Sequence, residues 1–346
     1  MHLILITGII LAKLLLGGTA KMITTLEIKN FKSIKHLALK CSRINILIGK
    51  PNAGKSNILE ALGVLSYLAY WQSTDLRDFV RYTKTNDLFY DQSLHEVIQI
   101  MDDKTDTKIE FTNGRFEAKS FSESGSLLVA LSGDYARLMF DKGNDLEPFR
   151  QFKFYRFKAA DTFGGSETQF LLPPFGTNLV SLLVANPELR SIVRQMFLPF
   201  GLILGVRPHE NKLEVIKQVD DIIISYPYVQ ASDTLQRLVF HLAAILSNKN
   251  SALIFEEPEA HAFPYYTKYL AETIALDNRE NQYFIATHNP YLLQPLLEKS
   301  AIGDVSVFIT YFENYQTKVR PLTMEEIEEI TEVDVFFNID RFLEAR

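Results

Sequence analysis

One stretch near the start of the chain constrains its fold more than any other. Asn45-Ile46-Leu47-Ile48 is a short apolar run, and Gly49-Lys50-Pro51-Asn52-Ala53-Gly54-Lys55-Ser56 follows it directly. Asn57-Ile58-Leu59-Glu60-Ala61-Leu62 then continues with apolar residues at helical spacing. A buried strand, a G-x-x-x-x-G-K-S turn and a helix in that order make the Walker A pattern in the context that gives it meaning. A phosphate chain needs donors that converge on it. A glycine turn running into a helix offers unpaired backbone N–H groups and the positive end of the helix dipole. Gly49 and Gly54 let the backbone curve where a Cβ would obstruct it. Asn52, Ala53, Gly54 and Asn57 form the cradle, Lys55 sets an ammonium against the β and γ phosphates, and Ser56 offers a hydroxyl to magnesium.

Two later segments carry chemistry of the kind such a loop requires. Ser251-Ala252-Leu253-Ile254-Phe255 is a buried strand that ends in Glu256-Glu257-Pro258-Glu259. In open α/β sheets, ligands sit beyond the carboxyl ends of the strands. Adjacent carboxylates there suit Glu256 to hold magnesium through its water shell and Glu257 to act as general base toward water. A charged turn after a core strand is the plainer alternative. Tyr283-Phe284-Ile285-Ala286-Thr287 is a second such strand, and His288 follows it. Its imidazole either donates to a γ-phosphate or an attacking water, or is a satisfied core histidine. Ser232-Asp233 precede the helical run Thr234 to Leu242, so Ser232 or Asp233 caps a helix whose N-terminus is either a second anion site or an ordinary capped surface end.

The opening Asn30-Phe31-Lys32-Ser33-Ile34 joins two short strands as a hairpin beside the loop. Lys32 there either reaches a phosphate or ribose or is a solvated turn lysine. Between residues 65 and 170 the chain is poor in recognisable chemistry. The aromatics Tyr70, Trp71, Phe79, Tyr82 and Phe89 read as core. Three runs (Glu96–Ile100, Thr107–Phe111 and Arg115–Ala118) read as antiparallel strands, with Phe152–Phe157 as a further one. Helices are expected over Asn178–Val184 and Leu189–Phe197, and a strand over Lys212–Ile216. Past His288 come the strand Val305–Thr310, an edge pair around Gln316 to Val319 and a helix near Met324 to Ile330.

Composition narrows the function classes. The chain has 346 residues and 36 Lys plus Arg against 42 Asp plus Glu, for a net charge of -6. A protein coating itself broadly with nucleic acid shows a basic excess, so any DNA or RNA contact is local. The single cysteine, Cys41, excludes an internal disulfide framework and a cysteine zinc site. Residues 3–11 are apolar, but Lys13 interrupts a run already shorter than the roughly 20 residues of a spanning helix. The charge also lies on the wrong side for a signal peptide. A coherent strand pattern starts after Met22. Residues 1–21 therefore read as a dispensable or non-native apolar extension, with an added strand or helix and a membrane association as alternatives.

Taken in order, these motifs resemble the ATPases related to structural-maintenance, RecF and OLD-type ABC heads, especially the small AAA-type ATP-binding members. The resemblance covers nearly all of residues 22–346. The "LxIxNFKSI" opening falls on Leu26 to Ile34, and the "GxxxxGKSN" loop falls on Gly49 to Asn57. The "SxGxxR" signature falls on Ser232 to Arg237, "DEPExHLHP" on Glu256 to Pro264, and the "TH" switch on Thr287-His288. The resemblance implies an α/β P-loop NTPase built as an ABC-type head. Such a head has a mixed central sheet, an antiparallel β lobe (22–170), a helical signature lobe (171–250) and a Walker B and switch segment (251–346). It implies ATP and Mg2+ as ligands, and a face-to-face homodimer in which Ser232 approaches the γ-phosphate held by the opposite subunit. It also implies a cytoplasmic location and a separate effector protein, directed at DNA or RNA in repair or phage defence. Three departures stand out. Glu256 replaces an aspartate, Thr234 stands at the signature glycine (Asp233 if the register slips by one), and Phe263 replaces a histidine. Gln169 is a weak match to the bridging glutamine. No long heptad run is present for coiled-coil arms, and no acidic nuclease domain follows. The signature differs from the "LSGGQ" of transporter ATPases.

Overall fold

The computed structural model describes residues 22–134, 138–143 and 145–344. The reading of residues 1–21 lies outside them. Strands β1 (Thr25–Phe31) and β2 (Ile34–Lys40) form the opening hairpin, and β3 (Ile44–Ile48) runs through the glycine loop into helix α1 (Lys55–Tyr70). Then come β4 (Ile98–Asp102), β5 (Thr105–Thr112), β6 (Arg115–Ser122), β7 (Leu127–Gly133), β8 (Leu138–Gly143) and β9 (Phe152–Tyr155). The middle of the chain holds α2 (Leu179–Ala185), α3 (Pro187–Gln195), β10 (Leu202–Arg207), β11 (Lys212–Val219), β12 (Ile222–Pro227) and α4 (Asp233–Ser247). The last part holds β13 (Ala252–Glu256), α5 (Pro264–Ala275), β14 (Gln282–Ala286) and α6 (Pro290–Lys299). It closes with β15 (Val305–Glu313), β16 (Gln316–Pro321), α7 (Met324–Glu332) and α8 (Ile339–Glu344).

Three sheets result. The central sheet has the order β16-β15-β3-β14-β13-β9 and is parallel except for β16. A seven-stranded antiparallel sheet has the order β2-β1-β4-β5-β6-β7-β8, and β10-β11-β12 form a small third one. Both faces of the central sheet are covered, as expected of parallel strands that read as unbroken apolar runs. Leu47, Ile254, Phe284 and Phe308 turn toward α1 and the antiparallel sheet. The alternate residues Ile46, Leu253, Phe255, Tyr283 and Ile285 turn toward α2 to α6. Helix α1 is therefore wedged between two sheets, which is why it is apolar nearly all round: Ile58, Leu59, Ala61, Leu62, Val64 and Leu65 are fully buried.

Two expectations need correction. Phe152–Phe157 was grouped with the antiparallel strands, yet β9 pairs in parallel with β13 at the edge of the central sheet. Its run Phe152-Lys153-Phe154-Tyr155 is buried on both faces, which suits a parallel sheet better than a half-exposed one. Segment 171–250, expected to carry helices and one strand at Lys212–Ile216, holds three strands, with β10 and β12 on either side of the expected β11. The aromatics read as core behave so where they are deepest: Phe79 and Phe89 are almost fully enclosed. No helix among the described residues is long and apolar enough to cross a membrane.

Candidate active site

Strand register assembles the site. Leu47 of β3 pairs with Ala286 of β14, and Ala286 pairs with Glu256 of β13. Three strands thus end level with one another, about 10 Å across from β3 to β13 at ordinary inter-strand spacing. Past that line the backbone ladder continues one rung, with Thr287 N–H donating to Leu47 O at 3.1 Å and Glu257 N–H to Ala286 O at 2.9 Å. The glycine loop, the two glutamates and the histidine therefore leave the sheet at one edge, as the topology of open parallel sheets requires. They surround a cleft of about 830 Å3 lined by Asn52 to Asn57, Glu256, Glu257 and His288, with Ser33, Arg81 and Arg237.

The loop is shaped for an anion. Gly54 caps α1 at φ 97° with no side-chain cap, and no acidic residue occupies the first turn. Asn57 N–H donates to Gly54 O at 3.0 Å, while the N–H groups of Lys55 and Ser56 consequently lack an intrahelical partner and a competing carboxylate. Close packing enforces the glycines: a Cβ on Gly49 would lie 2.1 Å from the Thr310 carbonyl oxygen, and one on Gly54 would lie 1.9 Å from Thr317 Oγ1. Thr317 Oγ1 also donates to Ala53 O at 3.1 Å, and it lies 2.6 Å from Ser33 Oγ, which accepts from Asn57 Nδ2 at 2.6 Å. The hairpin β15-β16 and the opening β1-β2 turn thus clasp the loop from outside.

Lys55 is buried, and its ammonium donates to the carbonyls of Gly49 and Lys50 at 2.9 and 3.0 Å. Burial pushes it down to about 8, against the opposing pull of Glu257 and Glu256. A cation capped only by loop carbonyls is poised for a stronger acceptor. Glu257 sits at φ 45°, in the left-handed region that a glutamate seldom adopts. Its Oε1 lies 3.4 Å from His288 Nε2. Burial and the nearby Lys55 cation hold His288 below its ordinary value, with Glu257 acting the other way, so the imidazole is neutral near pH 7. Behind them Glu259 is buried, accepts from Thr287 Oγ1 and has Oε2 without a partner.

Ser56 and Glu256 both line the cleft and supply a hydroxyl and a carboxylate. Such hard oxygen donors suit magnesium, which keeps several waters and takes its remaining ligands from phosphate. Among the described residues no group of three or more His, Cys, Asp or Glu could cage a metal by itself. The donor set fits an ion shared with a polyphosphate.

Lys32, Gln169 and Ser232 lie outside this lining. Lys32 does not line the cleft: its ammonium pairs with the buried Glu60 and donates to Arg81 O at 2.7 Å. The turn at Phe31–Ser33 packs on α1, and a buried carboxylate is a stronger partner for the lysine than solvent. Gln169 is also away from the lining. Ser232 caps α4 by accepting from Leu235 N–H at 3.3 Å and stands outside this cleft, although Arg237, one turn on, lines it. Thr234 Oγ1 donates to His261 O at 2.7 Å, tying the signature helix to the loop after β13. Reading the sequence missed Arg81, Glu60 and Thr317, none of which sits in a recognisable pattern.

A P-loop opposite paired glutamates and a histidine, on one edge of a parallel sheet backed by an antiparallel lobe, defines a nucleotide-binding P-loop ATPase head. Comparisons with known proteins make the assignment specific. Residues 22–136 match the family "AAA ATPase domain", and residues 188–294 match "AAA domain, putative AbiEii toxin, Type IV TA system". An Smc head bound to the C-winged helix domain of ScpA superposes with TM-score 0.51 at 15% identity, over 90% of this chain and all (100%) of that one. An Smc head from Pyrococcus furiosus with an extended coiled coil, bound to the C-terminal domain of ScpA, gives 0.51 at 13% identity, over 90% and 98%. An uncharacterised protein of Methanocaldococcus jannaschii is 54% identical over 44 residues, which span 12% of this chain and only 20% of that relative. In its two matched segments the chain is similar to AAA-type ATPase domains, and it has the fold of the SMC head domains.

Proposed function

We propose that this chain binds ATP with magnesium in the cleft and hydrolyses it between two copies of itself, and that closure of the pair controls a separate effector. The observation that carries this reading is the convergence of Lys55, Glu257 and His288 on one cleft from three strand ends. The cradle N–H groups and Lys55 hold the phosphates. Ser56 and Glu256 would hold the metal, which when bound would offset phosphate charge. Glu257 orients water for in-line attack and accepts its proton, and the neutral His288 beside it keeps that carboxylate and the water aligned. Ser232 is exposed outside its own cleft, as expected of a group that closes over the γ-phosphate of a partner. Hydrolysis followed by phosphate release removes the γ-phosphoryl charge that binds the two faces, and the pair loosens.

For the output, the support is coarser. One matched family is described by a toxin of a toxin–antitoxin system, and both Smc heads were solved with a ScpA domain bound. These favour a protein effector, directed at DNA or RNA in defence or repair. The net charge of -6 argues that nucleic acid is met chiefly through that partner. Thr234 at the glycine position, tethered to His261 O, favours a second reading: a nucleotide-dependent scaffold with slow turnover.

Steady-state ATP hydrolysis separates the two. The catalytic reading expects magnesium-dependent turnover that drops at least about 100-fold in Glu257→Gln with ATP binding retained. Equal rates in the two proteins would remove Glu257 from the role. Tight binding without turnover in the wild-type chain would favour the scaffold. A salt-sensitive rise in rate on adding DNA would place nucleic acid on this chain rather than its partner.

A further inference from the structure

Arg81 belongs to no motif, yet it is held more firmly than most residues of the cleft. It follows the one-turn helix Leu76–Phe79 and the buried Val80. Its Nε donates to Glu60 Oε1 at 2.6 Å, and its carbonyl accepts from Lys32 Nζ at 2.7 Å. Glu60 is fully buried on α1, four residues after Ser56, and its other oxygen is taken by Lys32. Arg156 stands 3.7 Å from the same carboxylate. Main chain and side chain of Arg81 are thus both pinned, and its planar fork leaves Nη2 aimed at Glu256 Oε1, 3.1 Å away. Glu256 is the carboxylate assigned to the metal. A guanidinium therefore pairs with that carboxylate on the wall of the nucleotide cleft.

We infer that Arg81 is a positioning residue that neutralises Glu256 while the cleft holds no metal, so that it links nucleotide affinity to metal binding. The inference rests on the ATP reading above. In the metal-free cleft, Glu256 and Glu257 repel a polyphosphate, and Arg81 offsets Glu256 through a hydrogen bond too short for water to screen fully. With the ion present, that charge is already balanced, and Arg81 contributes little more. The two cations act on one carboxylate, which makes their effects on ATP affinity non-additive. Glu60 retains Lys32 and Arg156 when Arg81 is replaced, so the buried carboxylate keeps partners and the fold is preserved.

The test is a binding cycle on the full chain, with ATP titrated calorimetrically into wild type, Arg81→Gln and Arg81→Lys, in EDTA and in excess magnesium. Arg81→Gln should weaken ATP about tenfold in EDTA and only about twofold in magnesium. Arg81→Lys, which keeps the charge, should recover most of the EDTA affinity. Equal losses in both conditions would mean a merely structural role and would overturn the inference, as would no loss in EDTA. A wild-type chain that binds ATP in neither condition would instead overturn the ATP reading beneath it.

Discussion

Glu259 shows how much a single carboxyl behind the reacting groups can decide. Burial raises it from 4.5 to about 7, against the opposing hydrogen bond from Thr287. It therefore stays protonated in the folded chain over a range where the unfolded chain ionises it. A raised acid adds stability in full below its unfolded value and loses it as pH rises through the folded one. The thermal midpoint should fall between pH 4.5 and about 7 on this account. Glu259→Gln, which keeps the shape and cannot ionise, should flatten that slope in melts across the range. An unchanged slope would assign the proton elsewhere. The same residue bridges the Glu257 turn to the Thr287-His288 turn, so its protonated form holds two reacting side chains in register. Sequence exposed Glu257 and His288 because each ends an apolar run. It exposed neither the φ of Glu257, set by the backbone path beyond β13, nor the loss of Lys32 to Glu60, which depends on what packs on α1.

At the level of elements, the loop between β3 and α1 is rigid because other parts of the chain enclose it. The Thr317 side chain fills the space over Gly54, and the Thr310 carbonyl fills that over Gly49. Gly54→Ala would place a methyl group on Thr317 at a backbone angle costing about 1–2 kcal/mol for any L side chain. The variant should melt lower by at least that much and bind ATP at least tenfold more weakly. Wild-type values in both assays would show that the β15-β16 clasp is unimportant. The G-x-x-x-x-G-K-S pattern was legible because its glycines answer a local demand. Thr310 and Thr317 were not, because their partners lie more than 250 residues away in sequence. The same division runs through the fold. Strands β3, β13 and β14 are continuous apolar runs with polar ends and read directly. β7, β8, β10 and β12 went unread, and β9 was assigned to the wrong sheet. Periodicity reports how a strand is buried and leaves its neighbour unspecified.

Across the whole molecule, the proposed pairing makes the cleft half of a site. Lys55, Ser56, Glu256, Glu257 and His288 line one cleft, while Ser232 at the N-terminus of α4 stands outside that lining. A triphosphate bound in the cleft would present its γ end at an open face, and a second copy related by a two-fold axis would bring its own α4 there. Association should then depend on nucleotide and be longest-lived when hydrolysis is blocked. The most direct test is the light-scattering mass of Glu257→Gln with and without magnesium and ATP. The account predicts the mass of two chains with the nucleotide and of one chain without it; one chain in both conditions would contradict it.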